Sequence, residues 1–150
     1  MLIIEKILLL RNSEIFRNCR EADLLDIASI CQEIRLDQDV LIFTKGEPGH
    51  CMYFIHTGKV TIHDEEHVLA VLAENEIFGE LSLLDSESRS ASATTASECI
   101  LLKIEQEPFY DLVSTNSDIL KGIMRTLCKR LREQDRITIE MKNRMTVRNG

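Results

Sequence analysis

The residues of this chain that are best suited to chemistry lie in one stretch, residues 78–93, which reads FGELSLLDSESRSASA. The carboxylate of Glu80 follows Gly79 directly, and the guanidinium of Arg89 comes nine residues after Glu80, with leucines between them. A carboxylate accepts hydrogen bonds from hydroxyl groups, and a planar guanidinium pairs with anionic oxygens. Such a segment is suited to wrapping a small anion that also carries hydroxyl groups.

No catalytic or metal-binding motif accompanies this stretch. The sequence contains no recognisable Ser-His-Asp order, no H-E-x-x-H motif and no P-loop, so we expect no enzymatic activity. His63 and His67 flank an acidic turn, and we interpret them as an exposed hairpin tip rather than as metal ligands. We therefore predict neither a bound metal nor a cofactor.

The cysteine pattern and the N-terminal residues indicate in which cellular compartment the protein is expected. The cysteines are odd in number and widely spaced, without a C-x-x-C pair, which argues against a disulfide framework or a zinc knuckle and is typical of a reducing compartment. The apolar N-terminus is interrupted by Glu5 and Lys6; it is too short for a membrane span and has no signal-peptide cleavage pattern. We expect a soluble, cytoplasmic protein.

Length and composition favour a single domain with a hydrophobic core. The chain has 150 residues, 44% of them hydrophobic, and a formal net charge of −7. An acidic protein does not attract nucleic acid without a strong basic patch. The basic residues between Arg125 and Arg136 are interrupted by Glu133 and Asp135, so we interpret them as a solvated helix face and expect no direct binding to nucleic acid.

Hydrophobic periodicity predicts helices at both ends of the chain. Apolar residues at helical spacing predict one helix over residues 2–16, with a break near residue 12, and a second helix over residues 18–34. A further helix is predicted to begin near Glu107, with Pro108 in its first turn. A long helix is predicted from Asp118 to about Lys142.

Short strands are predicted between these helices, with turn signals about every ten residues. The run Met52–Ile55 is apolar at four consecutive positions, which predicts a strand covered on both faces. The spacing of strands and turns indicates an antiparallel sandwich or barrel, interrupted at residues 78–93 by a one-turn helix. The predicted strands cover residues 40–43, 52–55, 59–63, 67–72, 89–95 and 98–104.

The long C-terminal helix carries a heptad seam with a polar middle. Two explanations are open for this seam: the helix pairs with its copy across a twofold axis, which would form a homodimer, or the seam packs against the strands of its own chain as far as Leu131. The seam positions are Leu120, Met124, Leu127, Leu131, Gln134, Thr138, Met141 and Met145.

Two motifs together resemble the cyclic nucleotide-binding domain family, which occurs in bacterial catabolite activator proteins and in regulatory subunits of cyclic AMP-dependent kinase. They are IFTKGEPGHCMYFIHTG at residues 42–58 and FGELSLL…RSASA at residues 78–93. The resemblance implies a mainly β, α+β fold: an antiparallel β-roll (jelly-roll barrel) with N-terminal helices, an internal cassette helix and a long C-terminal helix. One domain over residues 1–150 is expected, with a core at about 13–135 and a helical extension at 136–150.

The resemblance also implies roles for the cassette residues. Gly79 would let the backbone approach the ligand, and Glu80 would accept a hydrogen bond from a ribose 2′-hydroxyl. Arg89 would pair with the cyclic phosphate, aided by the Ser90 hydroxyl and the Ala91 amide. Two residues of the long helix are expected near the purine edge. The full predicted set is Phe78, Gly79, Glu80, Leu81, Ser82, Arg89, Ser90, Ala91, Gln134 and Asp135.

The nature of the ligand follows from one position of the motif. Many members of the family that prefer cyclic GMP resemble one another in carrying threonine where this chain has Ser90. Serine therefore favours cyclic AMP, although a serine hydroxyl is also able to donate to a guanine edge, which keeps cyclic GMP as an alternative. The resemblance implies a non-enzymatic sensor in which the ligand moves the C-terminal helices.

Three departures from the family pattern bear on this interpretation. Ser88 stands where proline is frequent, Phe43 replaces a smaller branched residue, and residues 85–87 add two carboxylates near the phosphate site. None removes a group that contacts ligand. Two alternatives stay open. In one, the domain has an empty pocket and serves for protein interaction or oligomerisation, with Glu80 and Arg89 as a structural ion pair. In the other, the chain is a module of a larger transporter, channel or transcription regulator, since no helix-turn-helix segment follows.

Overall fold

The computed structural model describes residues 1–149, apart from the side chains of Leu81, Arg148 and Asn149. Its elements form two four-stranded antiparallel sheets with helices before, within and after them. In chain order they are α1 (Ile3–Asn12), α2 (Glu21–Ile30), β1 (Gln32–Leu36), β2 (Leu41–Phe43), β3 (Cys51–Thr57), β4 (Val60–Asp64), β5 (His67–Leu72), β6 (Ile77–Phe78), α3 (Glu80–Asp85), β7 (Ser92–Thr95), β8 (Cys99–Glu105), α4 (Gln106–Thr115) and α5 (Ser117–Asn149).

The two sheets have the strand orders β1-β8-β3-β6 and β2-β7-β4-β5. Strands adjacent in space are mostly distant in sequence, as in a roll rather than a simple meander: β8 pairs with both β1 and β3, and β7 with both β2 and β4. This architecture confirms the predicted antiparallel β-roll with a cassette helix, α3, between the strands β6 and β7.

Strand β3 divides the hydrophobic core in two. Its residues Met52 and Phe54 belong to a cluster with the helices, whereas the alternating residues Tyr53 and Ile55 belong to a cluster inside the roll. Successive residues of a strand point to opposite faces. Because a hydrophobic cluster covers each face of β3, all four side chains are buried. The prediction of a strand covered on both faces is confirmed.

The prediction of one helix over residues 18–34 is wrong at its C-terminal end. Helix α2 ends at Ile30, and residues Gln32–Leu36 form β1, which pairs with β8 in a regular register from Gln32↔Lys103 to Leu36↔Cys99. Ile34 and Leu36 are half-buried and alternate with exposed neighbours. Pairing with β8, in which no residue is exposed, decides the conformation here, and such a long-range contact is invisible to helical periodicity.

Helix α5 is longer than predicted, and its core contacts end early. Ile119, Ile123 and Thr126 are buried, whereas every residue from 131 to 147 is exposed. The seam residues Leu120, Met124 and Leu131 are 39%, 54% and 64% exposed, so the explanation in which the seam packs on its own strands is wrong for these residues. Leu127 is the seam residue that packs partly against the core.

A buried carboxylate joins α2 to the start of α5. Asp23 accepts hydrogen bonds from the Asn116 amide at 2.7 Å and from Arg20 at 3.2 and 3.3 Å, and Arg20 also reaches Asp118 at 2.8 Å. Burial would raise the pKa of Asp23, but the hydrogen bonds from Arg20 and Asn116 outweigh burial and hold its pKa below the ordinary value of 3.8.

We predict that Asp23→Asn destabilises the domain by roughly 1.5–3 kcal/mol at neutral pH, since hydrogen bonds to a charged acceptor contribute that much. The native pKa is depressed, so the stabilisation is present above the unfolded-state pKa and is lost as pH falls through the native one. Urea unfolding at pH 7 and below pH 4 should show the difference from wild type shrinking in acid. Asp26→Asn, at an exposed position of α2, is the control; a difference that is independent of pH would contradict the prediction.

Candidate anion-binding site

A cavity of about 410 Å³ lies between α3 and the segment that leads into β7. Its lining combines apolar residues, among them Phe43, Ile62 and Ile77, with polar and charged residues of the cassette. The cavity brings together seven of the ten predicted site residues: Phe78, Gly79, Glu80, Ser82, Arg89, Ser90 and Ala91.

Gly79 forms the corner between β6 and α3, and its backbone requires glycine. It has φ 75° and ψ 15°, in the left-handed region that side chains disfavour. A Cβ built on Gly79 would lie 2.5 Å from Nη1 of Arg89 and 3.3 Å from the Cys51 carbonyl oxygen. The missing side chain therefore makes the space that the Arg89 guanidinium occupies.

Arg89 is buried, with 6% of its surface exposed. Its Nη2 donates to the Cys51 carbonyl at 2.8 Å, its Nη1 lies 3.5 Å from the Gly79 carbonyl, and its Cζ lies 4.1 Å from the centroid of the Phe43 ring. Among the described side chains no carboxylate lies within 4.0 Å of it. A buried cation is costly without a counter-charge, which makes Arg89 a candidate partner for an anionic ligand.

Glu80 is not the partner of Arg89, and the structural ion pair between them is absent from the described part of the chain. The nearest cation to Glu80 is Arg130 of α5, whose Nη1 lies 3.9 Å from Oε1 of Glu80. Arg130 also donates from Nε to Oε1 of Glu14 at 2.8 Å, and this hydrogen bond lowers the pKa of Glu14. The carboxylate at the start of α3 is thus linked to α5 and not to Arg89.

The remaining cassette residues differ in burial. Ser82 and Ala91 are buried, whereas Ser90 is exposed at the cavity. The Ser82 side chain lies against Gly49, where any Cβ would collide with its hydroxyl. Asp85 and Glu87 line the cavity but are exposed, and the Glu87 amide donates to Oδ1 of Asp85 at 3.1 Å. The position of the Leu81 side chain lies outside the described part of the structure.

The structure does not bring Gln134 and Asp135 to this cavity. Gln134 lines another groove of about 460 Å³ with Glu14, Arg17 and other residues, and both side chains are exposed. The physical reason is the course of α5: Arg130 is the last residue that reaches the cassette, and Gln134 lies one helical turn further along. In this conformation α5 passes beside the cavity without closing it.

Sequence reasoning missed three contributors to the site. It gave Gly49 and Cys51 no role in the site and noted Phe43 only as a departure from the family pattern. Gly49 makes room for Ser82, the Phe43 ring lies over Arg89, and the Cys51 carbonyl accepts from Arg89. The presence of a large aromatic residue where a branched one is usual was a sequence signal that Phe43 has a special contact. The role of Cys51 left no such signal, because it acts through its backbone carbonyl.

Two further classes of site were sought in the described residues. No group of three or more His, Cys, Asp or Glu side chains there is arranged to hold a metal ion. Within the same residues, none of the helices combines the length and the apolar character needed to cross a bilayer. The cavity beside Arg89 is therefore the feature on which functional assignment depends.

Comparison with known proteins identifies the family. The model of the cyclic nucleotide-binding domain matches residues 33–116, which is more than half of the chain. The chain belongs to the cyclic nucleotide-binding domain family. The match runs from β1 to the end of α4 and contains both motifs singled out in the sequence, so the predicted family is confirmed.

Similar proteins include transcriptional regulators and a cyclic AMP receptor protein. The chain is 27% identical to the CRP-like cAMP-activated global transcriptional regulator of Mycobacterium tuberculosis, over 83% of this chain and 58% of that protein. It is 35% identical to the cyclic AMP receptor protein of Thermus thermophilus, over 63% and 46%. The N-terminal domain of a transcriptional regulator from Streptomyces coelicolor matches with TM-score 0.79 at 26% identity, over 84% and 94%. The chain spans about half the length of the curated relatives it matches.

We predict that Gly79→Ala lowers cyclic nucleotide affinity at least tenfold, because the added methyl displaces the Arg89 guanidinium. Gly46→Ala is a matched control: Gly46 also has a positive φ, of 90°, but has no atom within 4 Å of a built Cβ. Both substitutions should cost about 1–2 kcal/mol of stability through backbone strain, measured by urea unfolding. Calorimetric titration should then show weaker binding in the Gly79 variant alone; equal affinities in the two variants would contradict this role for Gly79.

Proposed function

We propose that this chain is a non-enzymatic regulatory sensor that binds cyclic AMP in the cavity beside Arg89. The observation that carries the proposal is the buried guanidinium of Arg89, which the described residues hold by backbone carbonyls and an aromatic face instead of a carboxylate. A cyclic phosphate supplies one negative charge and two exocyclic oxygens that match the planar fork of arginine.

The other lining residues suit the rest of the ligand. The Glu80 carboxylate lies at the cavity, where it accepts from a ribose 2′-hydroxyl while Arg130 holds it from the α5 side. The exposed Ser90 hydroxyl and the Ala91 amide are placed to complete the phosphate contacts. The apolar wall formed by Phe43 and Ile62 is a surface for the purine. No further cofactor is needed for binding.

Two features favour cyclic AMP over cyclic GMP. First, this chain has Ser90 at a position where many members of the family that prefer cyclic GMP resemble one another in carrying threonine. Second, the relatives from Mycobacterium and Thermus are named for cyclic AMP. Neither feature involves a direct contact with the purine edge, so the choice of base is the finer part of the proposal.

Binding is proposed to act through a change in the population of two conformations. Leu83 of α3 is fully buried in the cluster that also contains Phe109 of α4 and Ile123 of α5. A ligand that draws α3 towards the phosphate changes this packing and shifts the helices. At saturating ligand, the equilibrium between the two conformations moves by a free energy equal to the difference in ligand-binding free energy between them. As part of a longer protein, the module would pass this movement to an attached domain.

The exposed seam of α5 supports a second proposal, a homodimer formed through this helix. Met141 and Met145 continue the apolar seam at 59% and 62% exposure, well beyond the body of the domain. A heptad seam buries its apolar residues when two helices pair. A domain of the same fold with an empty cavity, used for oligomerisation, is the competing function.

We predict that Arg89→Ala weakens cyclic AMP binding at least tenfold, since removing one partner of a buried charged contact costs roughly 2–5 kcal/mol. Arg89→Lys should give an intermediate affinity because lysine keeps the charge but lacks the planar fork. Calorimetry gives the affinities, and thermal shift with cyclic AMP and cyclic GMP gives the base preference. Ligand at 100 times its Kd should stabilise wild type by about 2.7 kcal/mol.

The control for this experiment is Arg35→Ala, on β1, where the arginine side chain is 74% exposed. It should bind like wild type. If neither nucleotide stabilises the wild-type chain, the sensor proposal fails and the empty-domain alternative is favoured. If wild type binds and Arg89→Ala binds equally well, the cavity assignment fails.

We predict that the chain sediments as a dimer at high concentration and that Leu131→Glu, on the seam, returns it to one chain. Like charges facing each other across a helix pair oppose association. Ile139→Glu is the control, since Ile139 is comparably exposed (58%) but lies off the seam. Sedimentation equilibrium gives the masses; a single-chain mass for wild type at high concentration would rule the dimer out.

A further inference from the structure

The C-terminal end of the cassette helix is held by side chains of α4. Nε2 of Gln106 lies 3.1 Å from the Ser82 carbonyl oxygen and 3.3 Å from that of Leu83. The Tyr110 hydroxyl donates to the Leu84 carbonyl at 2.9 Å. Donors from two residues one turn apart on α4 therefore lie within hydrogen-bond distance of three successive carbonyls of α3, and the two hydrogens of Gln106 Nε2 are shared with the Ser86 hydroxyl, 2.6 Å away.

These contacts matter because α3 is short. It has six residues, Glu80–Asp85, and the last four carbonyls of any helix lack a partner within the helix. The chain turns away at Ser86, which has φ 60°. Since donors on another helix satisfy the free carbonyls, the direction of α3 depends on the position of α4.

The two clamping side chains are held together and anchored next to the Arg89 site. Nε2 of Gln106 lies 3.0 Å from the Tyr110 hydroxyl. The backbone amide of Gln106 donates to the His50 carbonyl at 2.8 Å. The carbonyl of the next residue, Cys51, accepts from the Arg89 side chain. The start of α4 and the guanidinium thus use consecutive carbonyls of one segment.

We propose that Gln106 and Tyr110 are the positioning residues that couple the cassette to α4, so that α4 moves with α3 when ligand binds. The inference rests on the sensor function proposed above and specifies how its signal leaves the site. Helix α4 then carries the movement to α5, because Phe109 lies in the same buried cluster as Ile119 and Ile123 of α5.

Hydrogen bonds suit this task better than the apolar contacts of Leu83 alone. A hydrogen bond to a carbonyl weakens steeply when its angle changes, so a tilt of α3 must move its partners or break the bonds. Apolar packing is non-directional and tolerates sliding. The polar clamp therefore adds a directional link to the packing of Leu83.

The test removes the donors and preserves side-chain size, in the double variant Gln106→Met/Tyr110→Phe. Ser114→Ala/Thr115→Val is the matched control: these α4 hydroxyls bond only to carbonyls of their own helix, Asp111 at 2.7 Å and Leu112 at 3.0 Å. Calorimetry gives the Kd for cyclic AMP. Hydrogen exchange of the whole chain, with and without saturating cyclic AMP, gives the response of residues 80–85 and 106–115.

In wild type and control, cyclic AMP should slow exchange in both segments. In the clamp variant, binding should stay within tenfold of wild type and residues 80–85 should still respond. The response of residues 106–115 should fall to less than about a third. Tyr110→Phe alone removes one oxygen and should give an intermediate loss of the exchange response in residues 106–115. This single variant keeps the test valid if the double variant folds poorly.

The possible failures are distinguishable. If wild type shows no heat of binding with cyclic AMP, the sensor function itself fails and the coupling role fails with it. If wild type binds but the clamp variant keeps the full response of residues 106–115, only the coupling role is overturned. A wild type that binds without any response in those residues also overturns it.

Discussion

The site depends on one interaction, the burial of the Arg89 guanidinium against the Cys51 carbonyl and the face of Phe43. Several features are explained by the need to hold this group in place. Gly79 has no side chain because the guanidinium occupies the space where a Cβ would stand. Phe43 is aromatic at a position where a branched residue would leave one face of the cation uncovered, and a cation stacked on a ring is stabilised electrostatically.

The roll places this arginine where two structural layers meet. Strand β3 separates the helical cluster from the cluster inside the roll, and Cys51 is its first residue. A carbonyl at the end of a strand is free to accept a side chain, whereas carbonyls within the sheet are committed to neighbouring strands. Arg89 therefore binds at the rim of the sheet, where it contacts Cys51 and the Gly79 carbonyl of the cassette. The neighbouring His50 carbonyl accepts from the backbone amide of Gln106, the first residue of α4.

The fold and the site differ in how far the sequence predicts them. The buried run Met52–Ile55 and the cassette stretch were predictable because their signals are local: four consecutive apolar residues, and a glycine, a carboxylate and an arginine in a fixed order. Strand β1 was not, because it is made by pairing with β8, about 70 residues away. The expected position of Gln134 and Asp135 came from resemblance. The course of α5 is set by the packing of its first turns, and it leaves both residues outside the cavity.

Helix α5 has too little contact with its own domain for its length. Its buried residues lie in the first three turns, and the only described link from its middle to the cassette is Arg130, shared between Glu14 and Glu80. A helix held at one end is free to change direction when its base moves, and a small rotation there becomes a large displacement 30 Å away, at about 1.5 Å of rise per residue. In the proposed coupling, movement of α3 reaches that base through α4. The exposed seam would then lie on the part of the molecule that a ligand displaces most, which is where a sensor would present its signal to a second chain or to an attached domain.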